Sequence, residues 1–206
     1  MSGENTLPQS LEAAREDGEL LESLVFDHAA AENLDFSELT CRQLSFRACR
    51  FSGCDFTAAA FYGCDFTGCR FTACRFPASY WKSCCLTDCK GDGGDFRRSR
   101  FKCCSLNGCV LRYANFCNAV WERCDLRECN FTESALAECK ISKTTVQTVD
   151  LTGAELFRTS FKGMDISSCT LDRVSLSESC AELRGAKIHV TQAAVVARIL
   201  GIEVIP

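Results

Sequence analysis

In the stretch CDFTGCRFTACRF, residues 64–76, a phenylalanine stands at every fifth position with a cysteine two places ahead of it. The register extends from Phe46 to Leu176 through 27 consecutive places without an inserted residue, and only Gly91 lacks a large apolar side chain at its place. Fourteen of the fifteen phenylalanines fall on it once Phe26 and Phe36 are included, Phe157 being the exception, and thirteen of the eighteen cysteines lie two residues before a centre. An α-helix would smear a spacing of five round its circumference, and a strand would alternate it between faces. The pattern is satisfied if each pentad forms one side of a square coil, with the centre and the residue two before it pointing inward. Four sides make a 20-residue turn, and successive turns then stack through backbone hydrogen bonds at about 4.8 Å.

Sorting by twenty supports the square. Trp81 and Trp121 share the column Phe61, Trp81, Phe101, Trp121, Ile141, Phe161. The small inward sites form the columns Cys49, Cys69, Cys89, Cys109, Cys129 and Cys64, Cys84, Cys104, Cys124, whereas the tryptophan side carries Ala59, Ser79, Ser99 and Ala119. A free cysteine behaves as a small hydrophobe, so the cysteines read as packing ladders. They carry no CxxC spacing, and only His28 and His189 are present, which is no zinc pattern. Stacked Cβ atoms about 4.8 Å apart also exceed the usual disulfide range of about 3.5–4.5 Å.

The ends depart from the register. Residues 1–23 read as an N-terminal arm or cap, with a short helical stretch from Ser10 that Gly18 ends. Residues 1–44 hold ten acids against two bases. The coil is expected over 24–182, and 183–206 reads as a separate terminal module. There Thr191 is the expected N-cap of a helix that Gly201 stops, and IEVIP reads as a strand. That helix is apolar nearly all round, with only Gln192 and Arg198 polar, so it needs a partner on both faces. Within the coil KGDGGDF, 90–96, reads as a local bulge or dent.

Charge is segregated around the coil. The side centred on Phe61 to Phe161 carries Lys82, Arg100, Lys102, Arg123, Lys140, Lys143 and Lys162 against Glu122, a net of +6. The side centred on Phe46 to Ile166 carries Asp65, Asp88, Asp125, Glu128 and Asp165 against Arg47 and Arg127, a net of −3. The chain's overall charge of −4 is mild and does not mark a direct nucleic-acid binder. The acidic N-terminus lacks the order of a signal peptide, and QAAVVARIL is too short to span a bilayer, so a cytoplasmic, non-membrane protein is expected. Neither histidine sits in a nucleophile or metal motif, and no phosphate-cradling glycine loop is present. The expectation is therefore a non-enzyme without cofactor or metal.

The segments CDFTG (64–68), CDLRE (124–128), ANFCN (114–118) and AELFR (154–158) resemble the pentapeptide-repeat family, whose pattern is A(D/N)LXX. The resemblance covers about residues 24–190 and implies an all-β solenoid, a right-handed quadrilateral β-helix with a short C-terminal α-helix and strand. The tail LRGAKIHVTQAAVVARILGIEVI is similar to the C-terminal module of the Qnr-type quinolone-resistance proteins. That resemblance implies a homodimer joined through this module, with Gln192, Ala193, Val196, Ile199 and Leu200 as candidate contacts. It also implies a DNA mimic that binds DNA gyrase or topoisomerase IV through the acidic side of Asp65, Asp88, Asp125, Glu128 and Asp165. Many Qnr-type proteins carry loops that interrupt the coil, and this register has none. The missing loops and the basic side favour the alternative, a non-catalytic scaffold for another protein partner.

Overall fold

The structure is a computed structural model and describes residues 6–16 and 18–205. Each pentad gives three extended residues and then turns a corner, with backbone φ near +50° to +60° at positions such as Ala48, Ala58 and Ala78. The first side of the coil is a seven-stranded parallel sheet that runs from Leu20–Glu22 through Tyr80–Lys82 to Lys140–Ser142. The second is a seven-stranded parallel sheet from Val25–Asp27 to Thr145–Gln147. The third begins with Ala30–Glu32, Arg50–Ser52 and Arg70–Thr72 and continues as single bridges to Asp150 and Thr170. Bridges alone, from Asp35–Asp55 to Glu155–Ser175, make the fourth. Partners such as Phe61, Trp81 and Phe101 lie 20 residues apart, so the square coil and its turn length are as the spacing predicts.

Aromatic stacks fill the interior. Phe36, Phe56, Phe76, Phe96 and Phe116 form one column with ring centroids 4.6–4.7 Å apart. Phe61 stacks on Trp81, and Phe101 on Trp121, each at 4.1 Å. The 4.6–4.7 Å stacking distance of the phenylalanine column matches the turn spacing, so its large rings pack along the axis. KGDGGDF makes no bulge. The bridges at Lys90 and Asp95 persist, and a Cβ at Gly91 would lie 3.2 Å from Leu111, which occupies the space instead.

The ends correct three expectations. The coil starts at Leu20, not residue 24, because Leu20–Glu22 pairs with Thr40–Arg42. Helix α1, Leu7–Glu16, begins before Ser10 because Leu7, Leu11 and Ala14 share one face, which is buried on the coil along with Ser10. Arg15 donates to the Ser37 carbonyl (2.8 Å), and α1 thereby covers the coil's first turn. At the other end the coil passes residue 182. Phe161 donates to the carbonyl of Glu182 and Ile166 to that of Lys187, and Asp165 pairs with Lys187 at a spacing of 22. A short 3-10 turn, Ala181–Leu183, precedes that pairing, and the buried Glu182 carboxylate accepts from the N–H groups of Arg158 and Ser177 and from the Ser177 hydroxyl.

Helix α2, Val190–Ile199, is capped by His189 rather than Thr191, in a reciprocal box with Gln192. Gly201, at φ +77°, ends it as expected. Ile202–Ile205 forms no strand, since no neighbouring strand in this chain offers it hydrogen bonds. Among the described residues no helix is long and apolar enough to cross a membrane.

Candidate interaction surface

The coil carries its polar side chains outward on four flat sides, and ladder pairing fixes their columns. Asp65 and Asp125 stand in one column of the second side with Ser45, Cys85, Ser105 and Thr145. Asp88 and Glu128 occupy corner positions of the same side, both with φ +52°. Asp165 lies further along the same side, in the bridge with Lys187. The structure thus brings the five expected acids onto one side.

Their charges are not equally available. Asp125 accepts from the Thr145 hydroxyl and pairs with Arg127 at 2.7 Å, which holds its carboxyl below the ordinary carboxylate range. Asp165 is held low by the Ser167 hydroxyl and N–H. Asp65, Asp88, Glu128 and Asp165 have no ion pair among the described residues. On the fourth side Asp55 pairs with Arg75 at 2.6 Å and Asp95 with Arg97 at 2.7 Å. On the basic first side Lys82 stacks on Lys102, and Glu122 draws in Lys102 (3.6 Å) and Arg123 (3.4 Å).

The C-terminal candidates divide. Gln192 is buried and is not a free contact: its side-chain amide donates to the carbonyls of Ile166 (2.9 Å) and Cys169 (2.5 Å), closing the end of the coil. A polar side chain reaches inward here because the last turn leaves carbonyls that only a side chain can satisfy. Ile199 is half-buried against the core. Val196 is half-buried, and Ala193 and Leu200 are exposed. With Val190 (77% exposed), Ile202 and Ile205 (81% exposed) they leave an apolar surface at this end.

One feature had no signal in the spacing. Among the described residues no backbone hydrogen bond joins 140–148 to 160–168, although every other turn of the first two sides is laddered to the next. Only the Thr148 N–H crosses, to the Ser168 hydroxyl at 3.1 Å. The opening is a cleft of about 650 Å³ lined by Asp125, Arg127, Ser142, Lys143, Lys162 and Asp165 among others. Ile141 and Val146, core centres by register, are only half-buried at its floor. The uninterrupted count of five concealed it. The detectable sign was the change of inward residues from cysteine and alanine to Thr144, Val149, Thr159 and Met164.

The family described as pentapeptide repeats matches residues 32–76 and 104–142, in eight copies. A trypsin-treated variant of QnrB1, a plasmid-mediated fluoroquinolone resistance protein, is similar in structure with a TM-score of 0.53 and 23% identity over 91% of this chain and 99% of that one. HetL, a pentapeptide repeat protein involved in heterocyst differentiation regulation in the cyanobacterium Nostoc sp. strain PCC 7120, has a TM-score of 0.43 and 13% identity over 89% and 97% of the two chains. No curated protein matches the sequence.

Proposed function

We propose that this chain, whose repeats match the pentapeptide-repeat family over residues 32–76 and 104–142, is a non-catalytic, dimeric mimic of duplex DNA that occupies the DNA-binding surface of a type II topoisomerase, gyrase or topoisomerase IV, and protects it from quinolones. The observation that carries this reading is the second side of the coil, where Asp65, Asp88, Glu128 and Asp165 stand outward without cationic partners among the described residues. Seven strands at about 4.8 Å give a rod of roughly 30 Å that carries Asp65, Asp88 and Glu128, and Asp165 stands on the turn beyond it. A fixed rod presents them without ordering cost, and complementary charge steers such an encounter. The similarity in fold to a fluoroquinolone resistance protein lends support.

The test is a matched pair of variants in a gyrase supercoiling assay with a quinolone. Replacing Asp65, Asp125 and Asp165 by asparagine removes charge from one side and leaves the core untouched, so protection should fall at least several-fold. Replacing Lys82, Lys102 and Lys162 by glutamine should leave most of it. Equal behaviour of both, or no effect of the parent protein on gyrase, would overturn the proposal.

The basic side favours a second reading, a scaffold that binds an acidic protein partner through Lys82, Lys102, Lys140, Lys143 and Lys162. Under it the lysine variant loses a partner from cell lysate and the aspartate variant does not.

A further inference from the structure

We propose that the cleft between residues 140–148 and 160–168 is a strand-accepting site, and that its occupant is the C-terminal segment Ile202–Ile205 of a second copy of this chain. The inference rests on the dimeric reading above and adds where the tail goes. Two incomplete halves of a sheet are present in one molecule. Lys140–Ser142 and Thr145–Gln147 are the last strands of their sheets, each paired on one edge only. An unpaired parallel edge is a template for a further strand. Ile202–Ile205 is rich in β-branched residues and has no strand to pair with, and its apolar side chains are exposed, Ile205 at 81%.

Size and chemistry agree. Strand rise, strand spacing and sheet depth give about 160 Å³ per residue, so about four residues fill the 650 Å³ cleft. Below its polar rim lies an apolar floor lined by Trp121, Phe131, Ile141, Val146 and Phe161, with a recess of only about 40 Å³, so that Ile202 and Val204 on one face of an inserted strand would lie against this floor rather than enter it. Glu203 then points outward, where Lys143 and Lys162 stand on the rim without an ion pair among the described residues.

The tail of the same chain does not reach. Helix α2 is anchored at Ile166 and Cys169 through Gln192, and its last turn lies beside Asp172 and Arg173 on the third side. The cleft opens on the first and second sides. Four extended residues span at most about 14 Å, too little to return round the square.

Amide hydrogen exchange on the full chain tests this. A Val204→Pro variant removes a strand donor from an exposed residue and leaves the fold intact. In the parent, the amides of 141–148 that do not bond the preceding turn, those of Ile141, Lys143 and Val146, should be protected at dimer-forming concentration, and in the variant they should exchange at least 10-fold faster. A synthetic Gly-Ile-Glu-Val-Ile peptide, residues 201–205, should restore protection to the variant. Equal protection in both chains, or fast exchange at these three amides in the parent, overturns the proposal. Light scattering on the same samples separates the two ideas: a parent dimer with fast exchange at these amides retains the dimer and discards insertion, whereas a monomeric parent discards both.

Discussion

At the scale of single residues, most inward small sites hold a short side chain, and the cysteines and serines there add a donated bond to the packing. The Cys69, Cys89 and Cys109 thiols each approach the carbonyl of Phe46, Phe66 or Leu86 on the preceding turn at 3.4 Å, and Ser99 does the same to Phe76 at 2.8 Å. Packing alone accounted for the cysteines from the sequence; the donated bond was not visible there, because spacing shows position and not direction. Serine enters the tryptophan column for a further reason. The Trp81 indole N–H, fully enclosed, donates to the Ser79 hydroxyl at 2.8 Å, and Ser79 meets Ser99 at 3.0 Å. Ser79→Ala leaves that N–H buried without an acceptor and should cost about 1–3 kcal/mol in urea unfolding, although it removes one oxygen only. The thiols also set an alkaline limit. Burial pushes Cys139 up to about 12 and raises Cys41 and Cys169 as well. An unfolded cysteine ionises near about 8.5, so above that pH the unfolded chain sheds protons that the folded chain keeps. The contribution of Cys139 is full below about pH 8.5 and falls as pH rises toward 12, by about 1.4 kcal/mol per pH unit, and Cys41 and Cys169 act in the same direction. Thermal melts between pH 7 and 11 should show this fall, with a shallower slope for Cys139→Ala.

At the scale of elements, a pentad is too short to hold together alone and is stable only against the turns above and below it. That is why the coil was legible from spacing while its two ends were not. The register cannot show that α1 settles on the first turn, because that contact depends on Leu7, Leu11 and Ala14 meeting a surface formed by residues further along the chain. Nor can it show that Gln192 points into the coil. It reads there as an ordinary polar position on an apolar helix, yet it closes the carbonyls of Ile166 and Cys169. Gln192→Ala should therefore destabilise the chain by about 1–3 kcal/mol while leaving self-association unchanged. Val190→Asp with Leu200→Asp should do the reverse, since both side chains are exposed at the surface proposed to join two copies. Size-exclusion chromatography with light scattering, beside a urea melt of each variant, distinguishes the two outcomes.

At the scale of the whole molecule, columns turn a one-dimensional spacing into a two-dimensional surface. A residue's number modulo twenty gives its side, which is why spacing alone groups Asp65, Asp88, Asp125, Glu128 and Asp165 together. Which of them is free was not legible, because Arg127 sits two positions from Asp125 and only side-chain geometry brings them to 2.7 Å. If unpaired carboxylates drive association with a topoisomerase, binding should weaken as salt rises from about 0.05 to about 0.3 M, and Asp125→Asn alone should weaken it less than Asp65→Asn. Titration by fluorescence anisotropy at the two salt concentrations checks both.

The same square plan has a mechanical consequence. Where the first and second sides part between residues 140–148 and 160–168, the third and fourth remain continuous through the Asp150–Thr170 and Glu155–Ser175 bridges. A rod cut halfway through its section does not lose all its stiffness; it keeps it in the uncut half and flexes in one direction only. The last turn with α2 is therefore joined to the rod as a leaf to a spine, along the third and fourth sides alone, and the angle between them depends on what fills the space between the leaves.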